Sequence, residues 1–547
     1  MSVRSMTAAE SAFDQPLLIA SILQSGLRTA PEEEIIYADK SRYTYRELGK
    51  RVHRLANALA ALGVKEGDTV AVMEWDTPRY LECFYAIPMM GAVIHTINVR
   101  LSPEQVLYTI NHAEDDVILI NREFLPLLEA VWDKVETVKT LILLDDEAGP
   151  ESTTLPIDGE YDELLAAQSD EYDFPLLDEN ATASTFYTTG TTGLPKGVYF
   201  SHRQLVLHTL ASRSGIGGVG HGRFNQDDVY MPITPMFHVH AWGVPFVATM
   251  MGVKQVYPGR YVPETLLKLL VTEKVTFSHC VPTIMQMLLA SEAAKQVDLS
   301  GWKVIIGGSA LPVPMAKAAL ERGIDIFTGY GMSETCPILT LSHLLPHMEQ
   351  WNIEKQAEVR SLTGRPVPFV TLRIVDSEMN DLPHDGKTQG EVVVRAPWLT
   401  QGYVKDPENS AELWAGGWLH TGDIGTINEE GYLKITDRIK DVIKTGGEWI
   451  SSIDLEGIVL QHPDVAECAV IGIEDEKWGE RPLALVVRKP GTEVTAENIR
   501  ELVAEYAEKG VISRYGIPEN IKFIESLPRT SVGKLDKKVM RVEHGDG

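Results

Sequence analysis

Cysteine is scarce in this chain. Cys83, Cys280, Cys336 and Cys468 are its four among 547 residues, and no C-x-x-C pair occurs. That spacing excludes a zinc ribbon and offers no disulfide framework, so a reducing compartment, the cytoplasm, is expected. Basic residues are in deficit too. Against 77 Asp and Glu stand 50 Lys and Arg, a formal net charge of -27. Such a surface repels nucleic-acid backbones and anionic membranes at long range. A nucleic-acid role is disfavoured, and any anionic ligand must be held by local donors. Across residues 229–253 charged side chains are missing altogether, save Lys254 just beyond. About 20 apolar residues suffice to cross a bilayer. This run, however, holds Pro232, Pro235 and Pro245, with His238 and His240. Prolines and imidazoles are costly in lipid, so a buried core segment is expected and no transmembrane span. The N-terminal stretch is acidic with only a short apolar run, and no secretory leader is expected.

What is present alternates strand and helix. "DTVAVME" (68–74), "AVIHTIN" (92–98), "DVILIN" (116–121) and "VKTLILLD" (138–145) read as strands, and "PEQVLYTINHA" (103–113) as a helix. That is the βαβ grammar of a covered, mainly parallel sheet. "TYRE" (44–47) has the form of a capping box opening an earlier helix. Beyond about Leu362 short strands follow one another: "VTLRIVD" (370–376), "GEVVVRA" (390–396) and "GYLKITD" (431–437). They predict a β subdomain. From about Asp441 strands and a helix over 496–508 mix in a compact α+β module. The expected fold is α/β: a large N-terminal domain of covered βαβ sheets plus the β subdomain over residues 1–437, a hinge at 438–441, and a small mobile α+β domain over 442–547.

The loop "YTTGTTGLPKG" (187–197) lies between two strand-like runs, "STFYT" and "GVYFS", and Ser201 with Gln204 then caps a helix. Small residues let the backbone approach a guest, successive N–H groups make an anion nest, and Lys196 adds a point charge. A polyphosphate is the expected guest. A Walker A loop needs Gly-Lys-Ser/Thr before a helix; here Pro195 precedes Lys196, Gly197 follows it, and a strand comes next. A P-loop NTPase is thereby disfavoured. "GIGGVG" (215–220) matches G-x-G-x-x-G in letters only. It follows a helix rather than a strand, so it reads as a flexible loop.

Five stretches in order settle which polyphosphate enzyme this resembles. They are "YTTGTTGLPKG", "GYGMSE" (329–334), "TGD" (421–423), "DRIKDVIKTGGEWIS" (437–451) and "PRTSVGKLDKK" (528–538). Together they resemble the acyl-adenylate-forming superfamily, which includes acyl-CoA synthetases, luciferases and peptide-synthetase adenylation domains. The departure at Thr189, where many members have Ser, keeps a hydroxyl. The resemblance implies ATP, Mg²⁺ and coenzyme A, and two half-reactions. A carboxylate attacks the α-phosphate to give acyl-AMP and pyrophosphate, and a thiol then displaces AMP.

By that resemblance Thr188, Thr189, Gly190, Thr191, Thr192, Gly193 and Lys196 cradle the β- and γ-phosphates. Tyr330, within Gly329, Gly331, Met332 and Ser333, stacks on adenine, with Gly308, Ser309 and Ala310 opposite. Glu334 is the magnesium ligand, and Asp423 takes the ribose hydroxyls. Arg438 binds nearby, and Lys440 and Lys444 reach toward the nucleotide. Lys534 bridges the reacting carboxylate and the α-phosphate. Rotation about Lys440 withdraws Lys534 and brings Gly446, Gly447 and Trp449 to the site for the second step. "PMFHVHAWG" (235–243) looks like the acyl-binding stretch of the fatty acyl-CoA synthetase branch, with His238 beside the carboxylate and Trp242 as a gate. "SHCVPTIMQML" (278–288) adds a mostly apolar lining without a basic residue to meet a second carboxylate. An aliphatic monocarboxylate is the expected substrate, a medium- or long-chain fatty acid in overall style. A short-chain or thioether acid such as methylmercaptopropionate is the alternative, followed by an adenylating enzyme that does not use CoA. A non-catalytic binding protein is disfavoured, because binding alone needs no lysine at position 534. The sequence leaves the oligomeric state open, a homodimer included.

Overall fold

The computed structural model describes residues 6–146, 148–188, 194–218, 223–445, 448–475, 477–530 and 534–545. Apolar runs without a polar alternation become strands covered on both faces. Val117–Asn121 is buried at every residue and sits inside a seven-stranded sheet. Its spatial order is Gly159–Glu160, Thr140–Leu144, Val117–Asn121, Thr69–Met73, Val93–Thr96, Thr182–Tyr187, Gly197–Ser201. The strands run parallel up to the last pair, an antiparallel hairpin. The expected hairpin of the Thr/Gly loop is therefore the edge of this sheet.

A second sheet of nine strands has a parallel centre. That centre runs Asp325–Gly331, Lys303–Ile306, Phe277–Cys280, Val229–Pro232, Lys254–Tyr257, Glu34–Tyr37. The charge-free run threads this core as the strand Val229–Pro232, a turn at Val239–Trp242 and the helix Val244–Met251, whose Val244 to Thr249 are all buried. Among the described residues no helix is long and apolar enough to cross a membrane.

At Thr44 only one half of the expected capping box forms, whereas at Ser201 both halves do. Thr44 accepts from the Glu47 N–H at 3.4 Å. Ser201 and Gln204 cap each other's backbone at 3.3 and 2.8 Å. The loop expected from residue 215 needs correcting. Gly215 to Gly217 form the last turn of the helix His202–Gly217, and a Cβ on Gly215 would lie 2.8 Å from Val367. Glycine at 215 permits that close packing; Val219 and Gly220 lie outside the described residues.

The β subdomain is antiparallel: Thr371–Val375, Gly390–Arg395, Leu419–Ile427, Leu433–Arg438. The sequence suggested only three of these four. The third, Leu419–Ile427, escaped because Gly422 has φ +67° and the pairing register shifts along it. The small C-terminal sheet joins Ile443–Thr445, Glu448–Ile450, Gly479–Arg488, Val465–Asp475 and Asn520–Phe523 around Leu455, Val470 and Val486. It docks on the large part through Lys434 to Asp454 at 2.6 Å, Arg529 to Thr283 at 3.1 Å and the Ser452 N–H to Asp437 at 2.6 Å. At residues 438–441 the chain turns, with the Asp441 and Val442 N–H groups both donating to the Arg438 carbonyl.

Candidate functional site

The edge hairpin holds the neck of the Thr/Gly loop. The Thr188 N–H donates to the Lys196 carbonyl at 2.8 Å, and the Lys196 N–H to Thr188 Oγ1 at 3.3 Å. Thr189, Gly190, Thr191, Thr192 and Gly193 lie outside the described residues. Lys196 Nζ donates to Asn409 Oδ1 at 2.5 Å and stands 4.9 Å from the centre of the Tyr403 ring. Tyr403 Oη in turn donates to Glu334 Oε1 at 2.7 Å. A chain of contacts thus runs from the loop's lysine to the buried carboxylate. A cavity of about 230 Å³ opens beside Lys196, with Tyr108, His112 and Asp406 in its walls.

Glu334 sits in a short 3-10 turn, Ser333–Thr335. Its own carbonyl accepts from the Thr400 N–H at 3.0 Å, and Trp398 Nε1 donates to the Thr335 carbonyl at 3.0 Å. Met332 closes the turn, its N–H donating to Thr335 Oγ1. Gly329 to Gly331 end the strand Asp325–Gly331. A Cβ at Gly331 would fall 1.8 Å from the Pro337 carbonyl oxygen. Nothing flexible can yield there, so Gly331→Ala is expected to displace Tyr330 and Glu334. Thermal unfolding and nucleotide binding should show a lowered Tm and weakened ATP affinity together.

Tyr330 Oη donates to Asp423 Oδ2 at 2.6 Å, and Arg438 Nε lies 3.2 Å from Asp423 Oδ1. Asp423 is buried on the long strand of the β subdomain. A carboxylate has about four lone-pair positions, so two stay open to further donors once the partners among the described residues are counted. Gly308, with φ +79°, follows the strand Lys303–Ile306; Ser309 and Ala310 beside it are exposed. A Cβ on Gly308 would stand 3.4 Å from Lys534 Cε. The lysine of the small domain thus lies along the wall of the large one. Burial lowers its ammonium to about 8, helped by the Arg438 cation and opposed by Asp423 and Glu334. Burial, then Lys534 and Arg100, hold His238 down to about 3, so its imidazole is neutral at pH 7. Lys534, His238, Asp423, Arg438, Glu334 and Tyr330 therefore share one site assembled from both parts of the chain.

Partial burial, then the Arg438 cation, lower the Lys440 ammonium. Lys444 and Trp449 face each other across the hairpin of Ile443–Thr445 and Glu448–Ile450, both exposed. Among the described residues no hydrogen bond or ion pair joins either of these two side chains to the pocket. Gly446 and Gly447 lie outside the described residues.

The stretch that carries His238 has an unusual backbone. Val239, His240, Ala241, Trp242 and Gly243 have φ of 49°, 52°, 48°, 60° and 70° in succession. Such a left-handed turn costs roughly 1–2 kcal/mol per non-glycine residue. Trp242 is buried, its ring 5.0 Å from that of His279 and its edge against Gly307, where a Cβ would meet it at 2.9 Å. Nothing in the letters HVHAW announces this turn. Nor does any local pattern point to Tyr403, or to Asn409 on the helix Pro407–Leu413, which reach Glu334 and Lys196 from far along the chain.

Among the described residues no cluster of three or more His, Cys, Asp or Glu could hold a metal ion. A magnesium ion held through Glu334 would then take its other ligands from phosphate oxygens and water, as that ion commonly does.

Known proteins of one family resemble this chain over nearly its whole length. The chain matches the AMP-binding enzyme family over residues 23–404 and the AMP-binding enzyme C-terminal domain over residues 454–534. It is 42% identical to a long-chain-fatty-acid–CoA ligase of Thermus thermophilus, covering 92% of this chain and 90% of that one. It is 39% identical to a 3-methylmercaptopropionyl-CoA ligase of Ruegeria lacuscaerulensis, covering 97% and 98%. The crystal structure of the anthranilate CoA ligase AuaEII in complex with anthranoyl-AMP superposes with a TM-score of 0.84 at 25% identity, covering 96% of this chain and 98% of that one.

Proposed function

The chain belongs to the AMP-binding enzyme family and is an adenylate-forming CoA ligase, and from that premise we propose that its acid is a medium- or long-chain fatty acid. ATP and the acid give acyl-AMP and pyrophosphate, and coenzyme A then takes the acyl group and releases AMP. The observation that carries the reading is Lys534 against Gly308, in the field of Asp423 and Glu334 and beside His238. A cation there meets the negative charge that grows as a carboxylate attacks phosphorus.

The remaining roles follow from position. Lys196 and the Thr/Gly loop hold the terminal phosphates, with Asn409 parking the ammonium until they arrive. Tyr330 and residues 308–310 flank the base, and the two open positions of Asp423 accept from the ribose. Glu334, oriented by Tyr403, holds Mg²⁺, which when bound neutralises phosphate charge. Neutral His238 orients the substrate carboxylate without competing for its charge. The small domain, residues 442–547, swings about 438–441 after the first step, and Trp449 with its neighbouring glycines then serves the second.

The acid is selected by the space around Trp242, where a methylene is worth about 1–3 kcal/mol. A thioether acid is the second reading, favoured by the 39% identity to the methylmercaptopropionyl-CoA ligase. Pyrophosphate release from ATP and Mg²⁺ across acids from propionate to palmitate, methylmercaptopropionate and aromatic acids included, with and without CoA, decides between them. A peak at eight or more carbons with CoA-dependent turnover (about 10-fold above propionate at the least) is expected. A peak at methylmercaptopropionate would replace the fatty-acid reading.

A further inference from the structure

Asp76 is a buried carboxylate with no ion-pair partner within 4 Å among the described residues, 2% exposed, just beyond the strand Thr69–Met73. It ties two other segments, at 236 and at 259–261, to its own. Its Oδ1 accepts from the Met236 N–H at 2.8 Å, its Oδ2 from Tyr261 Oη, and its backbone pairs with Gly259. Met236 lies two residues before His238, ahead of the left-handed turn. On the other side, Thr96 Oγ1 donates to the Phe237 carbonyl at 2.9 Å. The segment from 235 to 238 is thus fastened at successive residues, once by a charge-bearing group.

We propose that Asp76 is a positioning residue for the acid-activating step, holding the 235–238 segment so that His238 and Trp242 meet the substrate carboxylate and its chain. The proposal rests on the acid-ligase reading above. A packed apolar residue would fill this place at lower cost, since burying a carboxylate without a cation partner is unfavourable. A carboxylate is used because two donors converge on it. The left-handed turn next in the chain stores strain that a loosely tethered segment would release. The groups facing Asp76 are Tyr261, Arg100, Glu74, Tyr230 and Tyr80. Burial dominates and raises its acid to about 7, against the pull of Tyr261, the Met236 N–H and Arg100. Below that pH the protonated group accepts more weakly, and the tether slackens.

The test compares wild type, Asp76→Asn and Asp76→Ala by pyrophosphate release and by hydrogen exchange of the peptide spanning 233–243. In Asp76→Ala the KM for the acid should rise about 10²-fold, the cost of a misplaced group, with the KM for ATP within about twofold, and exchange at Met236 should quicken. Asp76→Asn keeps one acceptor and should raise the acid KM about fivefold, the worth of one hydrogen bond. It should also lose the rise in acid KM that wild type shows below about pH 7. Equal rises for ATP and acid, unchanged exchange, or a pH dependence that persists in Asp76→Asn would each overturn the proposal. Should Asp76→Ala not fold, Tyr261→Phe removes one donor and must shift exchange and acid KM the same way by a smaller factor. If wild type releases no carboxylate-dependent pyrophosphate, the ligase reading itself has failed, and the exchange comparison still decides whether Asp76 holds the segment.

Discussion

Replacing Lys534 with alanine is expected to slow carboxylate-dependent pyrophosphate release by about 10²–10³-fold, the effect of losing one preorganised charge contact to a transition state. Folding should be untouched. The backbone at this point is fastened by the Thr530 N–H to the Lys534 carbonyl at 2.7 Å and the Lys534 N–H to Thr530 Oγ1 at 3.2 Å, and alanine keeps both partners. Supplied acyl-AMP should still pass to coenzyme A, because in the proposed sequence that step follows withdrawal of the lysine. Lys534→Arg is not a conservative change here, since a planar fork cannot replace a compact ammonium against Gly308. The pH dependence carries a sign that can be checked. The ammonium has been lowered to about 8 from an ordinary 10.5. Activity that needs the cation should fall as pH rises through about 8. Between that value and 10.5 the unfolded chain still holds the proton that the folded one has lost, so this group makes stability rise with pH in the same window. Loss of activity alongside gain of stability separates titration of Lys534 from general alkaline unfolding. Equal loss of both half-reactions in Lys534→Ala would show that the residue does not act in the first alone.

How much of this was legible beforehand depended on the range of the contact. The strands at 69–73, 117–121 and 140–144 announce themselves because a strand buried on both faces must be apolar throughout. The caps at Thr44 and Ser201 are legible because their partners lie three residues away. The motifs around Glu334, Asp423 and Lys534 could be named, since small and charged residues crowd into short runs. That Lys534, from near the end of the chain, lies against Gly308 could not be read from the letters alone. Nor could Tyr403 on Glu334 or Asn409 on Lys196, whose separations are 69 and 213 residues. The strand Leu419–Ile427 was hidden because a positive-φ glycine breaks its alternation. The left-handed turn at 239–243 had no signal, for valine, alanine and tryptophan are poor choices in that region of backbone space. Its origin is tertiary: Gly243 must clear the His208 ring, which a Cβ would approach to 2.8 Å, and Trp242 must reach Gly307.

Asp423 links Tyr330 to the field around Lys534, and Asp423→Asn should reveal both this link and the proposed ribose contact. The variant keeps the shape and one good acceptor, so Tyr330 Oη retains a partner at the position it now holds at 2.6 Å. The charge is lost. Two bonds expected from the ribose weaken from charge-assisted to ordinary strength, a difference of about 1–2 kcal/mol each, so kcat/KM for ATP should fall by about 10²-fold or more. Arg438 loses its counter-charge at 3.2 Å, but its side chain is 45% exposed and water takes up much of that loss. The consequence for Lys534 is more telling. Asp423 is one of two carboxylates that raise the lysine's ammonium against burial and Arg438. Without it the ammonium deprotonates more readily, and the alkaline limb of pyrophosphate release should move to lower pH than the wild type's limb near 8. Asp423→Glu restores the charge and should restore the limb even if ATP still binds poorly. A limb that stays in place in Asp423→Asn would mean that the group titrating near 8 is not Lys534.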